Sequence, residues 1–295
     1  MDKINNILKS SELILNPDGS IYHLGLKPEH IAKTVITVGD PDRVNQVTSF
    51  FDDVEFKIQK REFHTQTGTY KGKRITVIST GIGTDNIDIV LNELDALVNI
   101  DFESRVVKSD LTKLNIIRIG TSGAIQKNIP IDSFLISECA IGFDNLIHYY
   151  KATKDLINHE LLEAIQQQIN LHSHKSYPYA INASKTLIDQ FSSLKTISGL
   201  TVTNVGFYGP QGRVLRLDLQ DQYLNQKLID FKFNKYKIIN LEMETSAIYA
   251  LSLLLGHKAI SLNAILANRI TGEFSKNIEL TVSELIEYTL KKIIS

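Results

Sequence analysis

Short apolar runs, each ending in glycine or a polar cluster, alternate along this chain with stretches of helical spacing, and that alternation limits the fold more than any other feature. The runs are "TVITVGD" (34–40), "ITVIST" (75–80), "NIIRIGTSG" (115–123), "ISGLTVTNVG" (197–206), "KIINLEME" (237–244) and "KAISLNAILAN" (258–268). Continuous Val/Ile/Leu runs of this length suit strands buried on both faces, and their alternation with helices predicts an α/β domain. Between them, Ile87, Val90, Leu91, Leu94, Leu97 and Val98 repeat as one helical face. "TSAIYALSLLLG" is apolar nearly all round, which predicts a buried helix closed by Gly256. The last segment sets Thr281 and Glu284 at capping-box spacing, followed by Val282, Leu285, Ile286 and Leu290 on one side. The polar stretch "DFESRVVKSDLTK" (101–113) reads as a surface insertion. The expected architecture is a single α/β domain, a twisted mixed β-sheet flanked by helices. The domain spans 21–295 behind an N-terminal extension, 1–20.

A length of 295 residues allows a large buried core in one domain. A net charge of −1 with no basic run argues against nucleic acid as the main partner, since phosphate backbones demand a concentrated positive face. The lone cysteine, Cys139, excludes an internal disulfide and fits a reducing, cytoplasmic setting. Its apolar surroundings make it a packed small side chain. The N-terminal residues lack the apolar core of a signal peptide, and no apolar run is long enough to span a membrane.

In open α/β sheets ligands sit beyond the carboxyl ends of strands, and the chemically distinctive residues collect at such ends. "VGDPDRV" puts Asp40, Pro41 and Arg43 after a strand. It fits an anion grip of loop N–H groups beside a guanidinium, and equally an ordinary capped turn with Arg43 on the surface. In "RIGTSGAIQ" Arg118 lies inside an apolar strand, where a lone charge is costly. It requires a bound anion or a buried acid, and the expected loop of Thr121, Ser122 and two glycines favours a free phosphate. No Gly-Lys-Ser/Thr follows, so this is not a nucleotide P-loop. Glu242 and Glu244, two apart at a strand end, are expected on one face, where carboxylates could accept from the hydroxyls of a vicinal diol. The alternative is a pair of acids at a helix N-terminus. "GFYGPQGR" (206–213) combines a stiff aromatic loop with Gln211 and Arg213, side chains suited to planar paired hydrogen bonds. His23 and His64 have no metal-ligand spacing, His148 before two tyrosines suits a pocket wall or the surface, and no metal site is expected.

These motifs, in order with "REF" (61–63), "STGIG", "LEMET" and "ANR", resemble the nucleoside phosphorylase family, and most closely its uridine-acting members, from residue 22 to the C-terminus. The resemblance implies reversible phosphorolysis of uridine to uracil and ribose 1-phosphate in pyrimidine salvage. Phosphate is then a co-substrate and no cofactor is needed. It implies a homodimer or homohexamer with shared active sites. By position, Gly39, Arg43, Arg118 and Thr121 match the phosphate site. Arg61 matches an arginine reaching into the neighbouring subunit's phosphate site, and His23 a histidine crossing to the 5′-hydroxyl. Met243 and Glu244 match ribose-binding residues, with Glu242 beside them. Gln211 and Arg213 match the pair that reads uracil, Phe207 an aromatic packed near sugar and base, and Arg269 a supporting cation. Arg213, Gln211, Glu244 and Arg118 are the residues expected to carry catalysis. Purine-specific relatives protonate the base with an aspartate near the last strand, where this chain has Asn268 and Arg269. Glu62 matches a residue that in some relatives helps hold a monovalent cation. The alternatives are a broader nucleoside phosphorylase, a nucleosidase of the same fold, and a non-catalytic nucleoside-binding protein.

Overall fold

The structure is a computed structural model that describes residues 7–151, 156–171 and 175–295. Residues 1–6 of the expected N-terminal extension lie outside the described residues. In chain order the strands are β1 (Thr34–Val38), β2 (Asp53–Lys60), β3 (Phe63–Tyr70), β4 (Lys73–Ser79), β5 (Ile100–Asp101), β6 (Val106–Val107), β7 (Asn115–Ala124), β8 (Phe134–Gly142), β9 (Tyr179–Asn182), β10 (Thr196–Thr203), β11 (Ile238–Glu242), β12 (Lys258–Asn268) and β13 (Glu273–Phe274). The helices are α1 (Pro41–Thr48), α2 (Thr84–Asn99), α3 (His159–Gln168), α4 (Lys185–Phe191), α5 (Leu224–Asp230), α6 (Thr245–Leu254) and α7 (Ile278–Ile294).

All six apolar runs are strands, and with their neighbours they build an 11-stranded mixed sheet. The centre is β7. It pairs in parallel with β1 on one side and along its whole length with β12 on the other. Its last residues turn antiparallel to β11. Because β12 also meets β8, β8 meets β10 and β10 meets β11, these strands close on themselves as a small barrel. The strands β1, β4, β3 and β2 extend from β7 as an open wing. Burial follows the sequence reading: every residue of β1 and of β11 is buried.

Helices cover both faces. On one side α2 and α6 pack with the segment around Leu24 and Leu26 through Ile87, Val90, Leu91, Leu94 and Leu97. On the other, α1, α4 and α7 pack through Val44, Val47, Phe191, Leu285 and Leu290. Fully burying such a Leu or Ile side chain contributes roughly 1.5–3 kcal/mol. The α6 helix is buried throughout its first two turns and ends at Gly256, whose φ of 81° is a left-handed turn that glycine adopts without strain. Cys139 is buried in β8, and burial pushes its thiol up beyond the range of ordinary cysteines.

Two local expectations are corrected. Helix α7 begins a turn before Thr281, with Asn277 as its cap residue. Thr281 spends its hydroxyl on Asn277 O (3.1 Å) and Asp132 (2.7 Å) instead of a capping box. Thr121, Ser122 and Gly123, expected in a loop, continue β7, because β12 and β11 supply partners for their backbone. The stretch 101–113 carries β5 and β6 as a two-stranded hairpin. Arg105 in its turn donates to the carbonyls of Leu8 (2.8 Å), Lys9 (3.0 Å) and Leu13 (2.5 Å).

Candidate active site

A cleft of about 750 Å³ opens where the ends of β1, β4, β11 and β12 meet the middle of β7. Its size falls within the usual range for small-molecule sites. Gly39, Asp40, Arg43, Arg118 and Thr121 line it, with Glu242 and Glu244 against Arg118, and Met243, Phe207, Gln211 and Arg213 complete the lining.

Strand β1 stops at Val38 and α1 starts at Pro41. Asp40 caps the helix by accepting from Asp42 N (2.9 Å), and Pro41 supplies the preset φ of a first turn. Arg43 stands in that first turn. Its Nε is buried with no hydrogen-bond partner, and among the described residues no acid lies within ion-pairing distance of it. Burial pushes its pKa down, Asp40 partly opposes this, and the positive Arg118 adds to the fall. A half-buried cation with an orphaned donor is what an oxyanion would complete.

Arg118 differs. Only 6% exposed, it donates to Glu244 (2.5 Å) and Asn263 (3.0 Å), with Glu242 at 3.3 Å. The buried charge expected to await an anion is therefore met by acids of the protein, although Arg118 still forms part of the cleft wall. Burial alone would weaken the guanidinium as a base; Glu242 and Glu244 more than reverse this and keep it charged. Gly120 makes room for it: a Cβ there would fall 1.9 Å from Nη1 of Arg118.

The two acids do not share a strand face. Glu242 is the last residue of β11, and Glu244 is the cap residue of α6 with φ −137° and ψ −30°. Glu242 accepts from Thr203 Oγ1 (2.5 Å), Glu244 N (2.9 Å), Thr245 N (2.9 Å) and Thr245 Oγ1 (2.8 Å). Its acceptor positions are consumed in starting α6, so the alternative of a helix N-terminal acid describes it better than a sugar contact. Glu244 accepts from Gly83 N (2.8 Å) and Arg118, which leaves acceptor capacity facing the cleft. Burial raises its pKa against the pull of Arg118, and the charge of Glu242 adds to the rise.

In the loop 207–213, Gly209–Gln211 make a single 3-10 turn and Gly212 follows with φ 68°. Arg213 folds back over the turn. Its guanidinium lies 3.7 Å above the Phe207 ring and donates to Gln211 Oε1 (2.7 Å) and Phe207 O (2.6 Å). The Gln211 side chain is 3% exposed. Arg213 fixes the plane of its amide while one lone pair of Oε1 and both Nε2 hydrogens keep free valence. The Gln211 carbonyl is held from behind by Arg269 (2.7 Å) and Asn225 (3.1 Å). Arg269 is pushed down to about 10 by burial, with the charge of Arg213 as the lesser cause.

His23 and Arg61 do not line this cleft. They gather with Lys60 around Tyr22: the Arg61 guanidinium sits 5.7 Å and Lys60 Nζ 5.5 Å from the Tyr22 ring, and the His23 ring meets it edge-on at 4.7 Å. Glu93 of α2 pins His23 through Nδ1 (2.6 Å) and through the N–H groups of His23 and Leu24. Asn268 is inward-turned. Its amide donates to Gln126 O (3.0 Å) and Ile129 O (2.8 Å), and its oxygen accepts from Ile270 N and Thr271 N.

Sequence reasoning missed the apolar lining of Ile82, Leu266, Ala267, Phe274 and Ile278. It also missed Asn263 and Asn225, which position Arg118 and Gln211. An apolar residue at a strand end looks like core, and an asparagine in a helix looks like surface, until the tertiary contacts are known.

The model of the phosphorylase superfamily matches residues 33–295. This chain belongs to that superfamily. Among curated relatives, the uridine phosphorylase of Thermococcus kodakarensis is 30% identical over 267 residues, covering 90% of this chain and 84% of that protein. A DeoD-type purine nucleoside phosphorylase of Bacillus cereus is 30% identical over 271 residues, covering 91% and 96%. Among solved structures, a Trypanosoma brucei nucleoside phosphorylase that shows uridine phosphorylase activity superposes with a TM-score of 0.87 at 29% identity, covering 96% of this chain and 99% of that one. The mixed sheet with flanking helices is thus the architecture of the phosphorylase superfamily.

Proposed function

We propose that this protein is a uridine phosphorylase, a pentosyltransferase that cleaves uridine with inorganic phosphate to give uracil and ribose 1-phosphate. One observation carries the reading. A single cleft is lined by a guanidinium with no acid partner among the described residues, Arg43, by a plane-locked amide–guanidinium pair, Gln211 and Arg213, and by Glu244. The cation suits phosphate, the carboxylate a sugar hydroxyl, and the amide–guanidinium pair a base edge. The relatives that act on uridine support the same substrate.

In this reading phosphate binds Arg43, with Gly39 and Thr121 alongside and Arg118 behind. Glu244 and Met243 hold the ribose. Uracil presents a ring N–H between two carbonyls. Gln211 accepts from the N–H and donates to one carbonyl, and Arg213 donates to the other. As the glycosidic bond lengthens, positive charge grows on the sugar and negative charge on the base. Arg213 binds the departing uracil anion more tightly than neutral uracil, which lowers the barrier. A phosphate oxygen then bonds to the sugar carbon. No cofactor takes part.

His23 and Arg61 lie together away from the cleft, which supports a homodimer or homohexamer in which they complete a neighbouring subunit's site. The single cysteine supports a reducing cytoplasm, and pyrimidine salvage is the setting such a reaction serves. Residues 1–20 and 101–113 are read as additions to a catalytic domain spanning 21–295. The test is to incubate uridine with and without phosphate and measure uracil and ribose 1-phosphate. Phosphate-dependent release of both is expected; uracil and free ribose without phosphate would establish a nucleosidase instead.

The purine-acting relatives support a broader nucleoside phosphorylase as second reading. Asn268, where a purine enzyme needs a proton donor, is committed to four backbone groups, and this favours the pyrimidine.

A further inference from the structure

Behind the loop 207–213 lies a second cavity of about 320 Å³. Gly209, Pro210 and Gly212 line it, whereas Phe207, Gln211 and Arg213 line the cleft, so one short loop is the partition between the two. Phe143, Val205, Leu219 and Leu224 make most of its walls apolar. Two polar residues are built into it, Asn204 at 1% and Ser176 at 8% exposure. Among the described residues the Ser176 hydroxyl has no hydrogen-bond partner. The Asn204 amide makes one long donation, 3.5 Å to Val202 O, and among the described residues its oxygen accepts no hydrogen bond. Buried polar groups are normally satisfied, so two with spare valence in the lining of an apolar cavity point to a ligand. Lys175 and Lys227 both face Asp221, at 3.8 and 3.3 Å, with Asp218 also in the lining, so the charges around the cavity balance.

We propose that this cavity is a second ligand site, for a neutral planar heterocycle or aromatic amide of nucleobase size. The apolar walls suit the faces of a ring. The Asn204 amide offers an acceptor and a donor side by side, and Ser176 offers either. The balanced charges favour no ionic ligand. The volume is at the small end of ligand sites and fits a ring without a sugar. An occupant would also be felt in the cleft. Leu224 in the wall precedes Asn225, whose amide holds the Gln211 carbonyl and lies 2.1 Å from where a Cβ of Gly212 would stand. Contact with Leu224 and Gly212 therefore shifts the clamp on Gln211 and leaves the Arg43 end alone. This second part rests on the uridine reading; binding itself does not.

Benzamide is the probe, because it lacks the ring N–H between two carbonyls that Gln211 and Arg213 complement. Calorimetry on the full-length protein should show one benzamide bound per chain, and saturating uracil should shift its Kd without lowering that stoichiometry. Ser176→Val and Asn204→Leu, each checked for an unchanged Tm, should weaken binding about tenfold, the scale of one lost buried hydrogen bond. Leu219→Trp, which fills the cavity from its partly exposed rim, should abolish binding without touching the two polar groups. Where uridine is turned over, benzamide should change the KM for uridine and not that for phosphate. No saturable binding at millimolar benzamide, displacement by uracil, or equal binding by wild type and Leu219→Trp would overturn the proposal. Absence of uridine turnover with benzamide binding intact would count against the uridine reading alone.

Discussion

At the Arg43 and Arg118 end, the cleft is floored by strands. β1, β4 and β7 run parallel in fixed register, Gly120 gives way to Arg118, and Arg118 is matched by acids from the α6 N-terminus. At the Gln211 end the recognising side chains come from a loop. The loop exposes Phe207 (50%), Tyr208 (54%) and Leu215 (78%), and its shape depends on Arg213 stacked on Phe207 and on two donors to one carbonyl. The contrast teaches that one end is set by the fold itself while the other is set by a few side-chain contacts on an exposed loop. Damage to the ion-paired Arg118 should therefore reach stability and activity together, whereas truncating a side chain of the loop, or Arg43 with no acid beside it, should reach activity alone.

Arg118→Ala is the strongest test. It strands Glu242 and Glu244 as buried unpaired acids, so a loss of about 3–5 kcal/mol of stability is expected along with activity. Denaturant unfolding measures it, and an unchanged midpoint would erase the contrast. Arg213→Ala should lower kcat/KM for uridine by roughly 10²–10³-fold, the scale of one lost transition-state donor, with Tm unchanged. Arg43→Ala removes a cation that has no acid partner among the described residues. Its phosphate KM should rise about 10–100-fold, as for a lost hydrogen bond to a charged group, with stability unaffected. Gly212→Ala forces a side chain to φ 68° and into the Asn225 amide. It should cost about 1–3 kcal/mol of local strain and raise the KM for uridine while sparing that for phosphate. The smallest effect is that of pH. Because burial raises Glu244, acidification should protonate it above the usual carboxylate value of about 4.3. As pH falls through that raised value Glu244 loses charge and its hold on Arg118 and the sugar weakens, so the KM for uridine should rise; Glu244→Gln should abolish the pH step.

Much of this molecule was readable along the chain. The strands β1, β4, β7, β10, β11 and β12 and the helices α2 and α6 follow from apolar periodicity, because a buried strand or helix must carry its hydrophobic pattern in sequence order. The hairpin of β2 and β3 escaped notice because β2 is largely polar and exposed and belongs to a strand only through its partner. Gln211 and Arg213 could be paired from sequence since they are two residues apart. The Arg118–Glu244 pair could not be assigned from sequence alone, because its residues are 126 positions apart and either an anion or an acid would balance the charge.

The sequence alone determined which residue types stand at the strand ends and which segments must be buried, since both are local consequences of side-chain chemistry. Only the tertiary structure decided that Arg118 is compensated, that Arg43 is not, and that Glu242 is spent on a helix. It also decided that His23 and Arg61 stand apart from the cleft. Charge balance and hydrogen-bond satisfaction are settled between groups far apart in the chain, and only folding brings those groups within reach of one another.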